Sequence, residues 1–286
     1  MPLVRVEEIY SWARQGGYGV AGFCAENLDI ILSILEAAEE ASAPVVIVLW
    51  DADIKSVGAG YLETIVKYGA IKSKVPVAFM LDHGTDKATC LQSILNGHSG
   101  VMIDASHESL EENIRLTREV CEIAHMVNVL VEGELGTVKR SFETTGPYSE
   151  ETQLTEPRDV PRFVEETGVD AIAISIGTES GIPSHPPMID FERIRKIATL
   201  THTHLIIHGG SGIDGNDLGK AIQSGITAFR FASEIRVAYL ETLEQARKVL
   251  PSNFPNTRLI YEPARNAARQ VILTRMNQLG CSGKAW

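Results

Sequence analysis

Cysteine, long apolar runs and basic charge are all scarce in this sequence. Its four cysteines, Cys24, Cys90, Cys121 and Cys281, are scattered over 286 residues and form no CxxC pair. That spacing excludes a zinc knuckle and predicts reduced thiols. No apolar stretch exceeds the length of a strand, so no membrane-spanning helix is expected. Lys and Arg number 26 against 37 Asp and Glu, a formal charge of -11. Such a surface argues against nucleic acid or an anionic membrane as partner. Arg5, Glu7 and Glu8 interrupt any signal-peptide core, and a cytoplasmic location is expected.

What the chain does have is alternation. At 44% hydrophobic residues it is long enough for a large core. Short β-branched runs fall at residues 20–23, 45–49, 77–81, 100–103, 128–132, 171–176, 205–208 and 227–231. Amphipathic stretches lie between them, most clearly at 27–42, 109–124, 159–167, 190–200 and 214–224. In the first of these Leu28, Ile31, Leu32, Leu35 and Ala38 repeat at helical spacing. Each predicted strand is apolar on both faces, as a parallel sheet covered by helices requires. Eight such units without a composition shift predict an α/β protein, a single (β/α)8 TIM-barrel domain over residues 1–286. An open doubly wound sheet is the alternative. Outside the repeat lie a long polar loop at 136–157, suited to a lid or binding loop, and a helical tail at 263–280. That tail packs on the barrel or on a neighbouring subunit.

Proton-carrying and metal-capable side chains gather where these strands stop. They are Asp82, His83, Asp104, Glu134 and His208. Singly, each is as well explained by a wall hydrogen bond or a helix N-cap. Together they place two imidazoles and three carboxylates at one end of a barrel, the end that carries chemistry in such folds. That donor set suits a catalytic divalent metal, zinc first. After His208 come Gly209, Gly210, Ser211 and Gly212, a turn able to aim backbone N–H groups at a phosphate or simply a flexible connection.

The segments Leu81-Asp82-His83-Gly84, Asp104-Ala105-Ser106-His107, Val131-Glu132-Gly133-Glu134-Leu135-Gly136, Ile176-Gly177-Thr178 and His208-Gly209-Gly210-Ser211-Gly212 resemble the class II, metal-dependent ketose-bisphosphate aldolases. The tagatose-bisphosphate branch is the most similar, and the likeness runs through the whole chain in order. It implies a zinc-dependent reversible aldol cleavage of a phosphorylated ketose, in a homodimer or homotetramer. It also implies roles. Asp82 matches the acid/base, His83 and His208 match two of three zinc histidines, and Asp104 and Glu134 match carboxylates at an inward metal position. Gly209, Ser211 and Ser233 match the phosphate site. No lysine stands at a strand end to suggest a covalent route.

The departures from the family pattern cluster. Ser180 stands where the family has its third histidine, in Gly177-Thr178-Glu179-Ser180-Gly181. His185 and Glu179 are the nearest replacement ligands. Cys24 replaces an asparagine after strand one, Trp50 a serine after strand two, and Arg230 an asparagine on strand eight, while Pro183-Ser184 stand where the family has Tyr-Lys. The guanidinium of Arg230 suits a substrate carboxylate, phosphate or sulfonate, or an internal ion pair with Glu234 or Glu134. In the loop, Glu143 is the candidate proton-transfer acid, with Glu150 and Glu151 as solvent-facing alternatives. The expected activity is aldol chemistry on a phosphorylated or acidic ketose, with a changed substrate. The alternatives are a metal-assisted isomerase or epimerase acting through an enediolate, and a non-catalytic ligand-binding relative.

Overall fold

The structure, a computed structural model, describes residues 3–139, 152–251, 253 and 256–286. Eight parallel strands close in sequence order into a barrel. They are β1 (Val20–Cys24), β2 (Val45–Trp50), β3 (Val77–Gly84), β4 (Gly100–Ile103), β5 (Leu130–Leu135), β6 (Ala171–Ile174), β7 (His204–Ile207) and β8 (Ile226–Phe231). β1 pairs with both β2 and β8, which completes the ring and leaves no sheet edge.

Every strand was legible as an apolar run, and the differences lie at the ends. Asn128, expected to open β5, adopts a left-handed backbone (φ 56°) that closes the short helical turn His125–Val127. β5 therefore starts at Leu130 and runs through Glu134 rather than stopping before it. β6 is shorter than expected because Ser175 leaves the sheet. Its N–H donates to Thr155 Oγ1 at 2.8 Å and its hydroxyl to Thr137 O at 2.9 Å.

Helices cover the outside, several closed by side-chain N-caps. Asn27 accepts from Ile30 N, Ser109 from Glu112 N, Asp190 from Arg193 N and Asp214 from Asn216 and Asp217 N. Two helices matter for the site. The helix Val6–Gly16 closes the barrel's lower end with Val6, Ile9, Tyr10 and Ala13 fully buried. The helix Arg258–Gln278 starts earlier than expected, with Pro263 inside it, and packs on Ser233–Val249 and Leu28–Ala41. The base of the long loop is pinned by paired backbone bonds between Thr137 and Gln153 (2.8 and 3.0 Å). Glu143, Glu150 and Glu151 lie outside the described residues.

Candidate metal centre

Asp82 and His83 are consecutive, and a regular strand would point them to opposite faces. β3 solves this with a bulge. Leu81 sits opposite Val101 and Gly84 opposite Ile103, so three steps on β3 match two on β4. His83 absorbs the extra residue with φ 48°, a left-handed conformation unusual for a residue with a side chain. Both Asp82 and His83 then line the cavity at the barrel mouth.

His83 is held from behind. Its Nδ1 lies 2.8 Å from Asp104 Oδ2 and 3.7 Å from Glu134 Oε2. Asp104 is fixed by Ser106, whose N–H and hydroxyl donate to Oδ1 at 3.2 and 2.7 Å. His208 is held the same way from below, its Nε2 lying 2.8 Å from Glu132 Oε1. Ionised carboxylates only accept, so the protons of both rings sit on the nitrogens facing Asp104 and Glu132. The other nitrogens, His83 Nε2 and His208 Nδ1, are left with lone pairs and face each other at 2.9 Å. Two ring nitrogens at this distance can share one cation, a metal ion or a single bridging proton. Zinc–nitrogen bonds of about 2.0–2.1 Å accommodate this separation, so the donor set fits a divalent metal.

Two clusters of possible ligand atoms emerge among the described residues: Asp82 with His83 and His208, and His83 with Asp104 and Glu134. Neither includes a replacement for the third histidine. His185 is exposed, its Nδ1 3.0 Å from Ser184 Oγ, in a loop stiffened by Pro186 and Pro187. Glu179 is half-buried, and its backbone packs against Gly209. Ser180 lines the cavity and is anchored through its N–H to Lys139 O at 3.0 Å.

The cavity wall brings together Trp50, Asp82, His83, Gly181, His208, Gly209, Ser211, Arg230 and Ser233. Gly209 has no substitute: it adopts φ 69°, and a Cβ there would lie 2.4 Å from the Glu179 carbonyl oxygen. The turn 209–211 thereby comes against the N-terminus of the helix Ser233–Val249, where Ser211 Oγ accepts weakly from Glu234 N at 3.5 Å. Those backbone N–H groups and hydroxyls suit an anion. The Trp50 indole Nε1 is buried without a hydrogen-bond partner.

Arg230 does not face outward. It is 4% exposed, and its ion pair is with Glu132 rather than Glu134 or Glu234. Its Nη1 donates to Tyr10 Oη at 3.0 Å, and its Nε lies 3.7 Å from Asp82 Oδ1. Burial pushes the Tyr10 hydroxyl well above its ordinary pKa, while Glu132 and the other anions raise that of Arg230 against its desolvation. Glu234 is engaged instead by Arg275 at 2.5 and 2.6 Å.

Two participants were not singled out in the sequence. Glu132 orients His208 and neutralises Arg230. Arg236 lines the mouth and pairs with Glu26 (2.9 Å) and Asp53 (3.3 Å). Burial raises the Asp53 carboxyl to about 6. Cys24, also on the wall, is held as a thiol by burial and by the Asp82 carboxylate, its Sγ 3.6 Å from Oδ2. All four cysteines are free and buried.

Comparison with known proteins gives a consistent result. The family model "Fructose-bisphosphate aldolase class-II" matches residues 4–284. A fructose-bisphosphate aldolase of Thermus caldophilus is 35% identical, the alignment covering 99% of this chain and 100% of that protein. A probable fructose-bisphosphate aldolase of Bacillus subtilis is 32% identical over the full length of both. The crystal structure of the YdjI aldolase from Escherichia coli K12 is similar with a TM-score of 0.86, at 27% identity and 99% and 100% coverage. A putative fructose-1,6-bisphosphate aldolase from Coccidioides immitis gives a TM-score of 0.89, at 26% identity and 98% and 97% coverage.

Proposed function

The chain belongs to the class-II fructose-bisphosphate aldolase family, it is an aldolase-type lyase of a metal-dependent kind, and we propose that it uses zinc to cleave and form a C–C bond in a phosphorylated or acidic ketose other than the usual bisphosphate. The observation that carries this is the pair of carboxylate-backed imidazoles, His83 Nε2 and His208 Nδ1, facing each other at 2.9 Å with Asp82 in the same cluster. In this reading His83 and His208 hold the ion, and Asp104 and Glu134 stand behind as the inward carboxylates. The ion supplies Lewis acidity at the substrate carbonyl.

The remaining work belongs to the chain's own groups. Asp82 takes and returns the proton of the hydroxyl at the carbon whose bond breaks. Glu132 and Asp104 keep the two imidazoles in the tautomers that aim their lone pairs inward. The turn at Gly209 and Ser211, with Ser233 and Gly181, receives the substrate's anionic group, and Arg236 adds a cation at the mouth. Trp50 supplies an apolar wall where the family pattern has a small hydroxyl, which supports a changed substrate. Arg230, with its Nη donors turned inward, belongs to the support of the site rather than to the substrate's contacts. The whole chain is read as one domain, cytoplasmic and a homodimer or homotetramer, consistent with a family match spanning residues 4–284. No described helix is long and apolar enough to cross a membrane.

Zinc titration tests the reading. Zinc at a hundredfold excess over its dissociation constant stabilises a one-site protein by about 2.7 kcal/mol. The melting temperature of the wild-type protein should rise accordingly and that of His208→Ala should not. Asp82→Ala should still take up zinc and lose turnover on a panel of phosphorylated ketoses. A wild-type melting curve indifferent to zinc and cobalt would leave a ligand-binding relative as the better description. Deuterium exchange from solvent without cleavage would favour an isomerase or epimerase.

A further inference from the structure

Asp82 lies between two groups that the proposed reaction does not use. From β1, the buried Cys24 donates its thiol proton to Asp82 Oδ2, with Sγ and oxygen 3.6 Å apart. From β8, Arg230 brings Nε to 3.7 Å from Oδ1, and that N–H has no hydrogen-bond partner among the described residues. The two groups approach different oxygens of one carboxylate.

The neighbouring strands are built for this. Gly22 and Cys24 are two apart on β1 and so share the barrel-facing side. Gly22 is paired in register with Arg230, and a Cβ at Gly22 would lie 2.7 Å from Arg230 Nη1 and 3.0 Å from its Cδ. The glycine therefore leaves the passage through which the guanidinium crosses the interior. Beyond it the Nη atoms are tied to Tyr10 and Glu132, which fixes the fork and keeps Nε beside the Asp82 carboxylate. β1 thus supplies both the gap for one clamp arm and the thiol of the other.

We propose that Cys24 and Arg230 are positioning residues that clamp the Asp82 carboxylate, one arm on each oxygen, and hold it in register with the His83–His208 pair. The inference rests on Asp82 being the acid/base of the proposed lyase. The effect of both residues is carried by the orientation of Asp82 and falls on turnover rather than on binding. Such supporting contacts are commonly worth about ten- to a hundredfold in activity.

Vibrational spectroscopy and kinetics test the clamp separately. The S–H stretching band of Cys24, identified by its loss in Cys24→Ser, should shift towards that of a weaker hydrogen bond in Asp82→Asn, because the charged acceptor is gone. Cys24→Ala should lower kcat about tenfold with little change in KM or zinc affinity, and Cys24→Ser, which restores a donor, should recover most of it. Arg230→Lys keeps a cation for Glu132 but loses the guanidinium nitrogen that pairs with Asp82, and should likewise lower kcat more than it raises KM. An S–H band unmoved by Asp82→Asn overturns the Cys24 arm whatever the activity, as does a Cys24→Ala variant with wild-type kcat. A wild-type kcat in Arg230→Lys overturns the other arm. Full activity in Asp82→Asn overturns the acid/base role of Asp82 instead, and the S–H band still decides whether the thiol contact exists.

Discussion

Arg230 and Glu132 pose the sharpest question about individual side chains, because a buried charge is tolerated only when it is paired and hydrogen-bonded. The guanidinium reaches Glu132 and Tyr10, and Glu132 spends its other oxygen on His208 Nε2 at 2.8 Å. Removing one partner strands the other. Arg230→Met should cost about 3–5 kcal/mol of stability, measured by urea denaturation. Arg230→Met combined with Glu132→Gln, which keeps an acceptor for His208, should recover much of that loss. A double variant no better than the single would show that the loss is one of packing rather than of charge. The sequence offered a signal for Glu132 that was not used. Glu132 and Glu134 are two apart on one strand and must share a face. Once Glu134 is placed inside the barrel mouth, Glu132 follows one layer deeper, where Arg230 needs an anion. The partners Glu134 and Glu234 considered for Arg230 were the right chemistry at the wrong depth.

At the scale of elements, strands were easier to read than the features that aim side chains. Eight β-branched runs sufficed to place β1 to β8, since burial on both faces leaves few polar residues in a strand. The β3 bulge was not legible, because period-two alternation is blind to a single extra residue. Yet that bulge is why Asp82 and His83 share one cavity. Pro263 misplaced the start of the last helix, since proline is commonest in a first turn, whereas here the helix begins at Arg258 and carries the proline inside. The glycine turn after β7 was anticipated as an anion cradle, and its geometry now gives a sharper expectation. Gly209→Ala would strain a backbone at φ 69° and drive a methyl into the Glu179 carbonyl. Because backbone opposes backbone, neither side can yield cheaply. The variant should lose about 1–3 kcal/mol and bind inorganic phosphate more weakly than Gly219→Ala, whose Cβ would meet nothing within 4 Å. Equal phosphate affinity in the two would remove the turn from the anion site.

For the whole molecule, the response to acid separates two buried groups of opposite effect. His98 is 2% exposed. Its Nδ1 donates to Ser93 O at 2.8 Å, and its Nε2 is buried without a partner. Protonation would add an N–H with nothing to accept it, and burial pushes the imidazole down to about 4 from 6.5. Below pH 6.5 the unfolded chain therefore binds a proton that the native protein refuses, so stability falls as pH drops through that window and levels off near pH 4. The difference between the two values corresponds to about 3 kcal/mol. Asp53 acts in the other direction. Raised to about 6 by burial, it holds a proton in the native state between pH 6 and its ordinary 3.8, so it adds stability as pH falls over nearly the same range. The wild-type profile is thus the difference of two terms and is flatter than either. His98→Asn keeps a donor for Ser93 and removes the titrating ring, leaving the Asp53 term unopposed. Urea midpoints measured at pH 7, 5 and 4 should rise towards acid in His98→Asn while staying nearly level in the wild type, with the two curves diverging below pH 6.5. Parallel curves would mean that His98 is protonated in the folded barrel, with an acceptor for Nε2–H that the static packing around Phe79 does not provide.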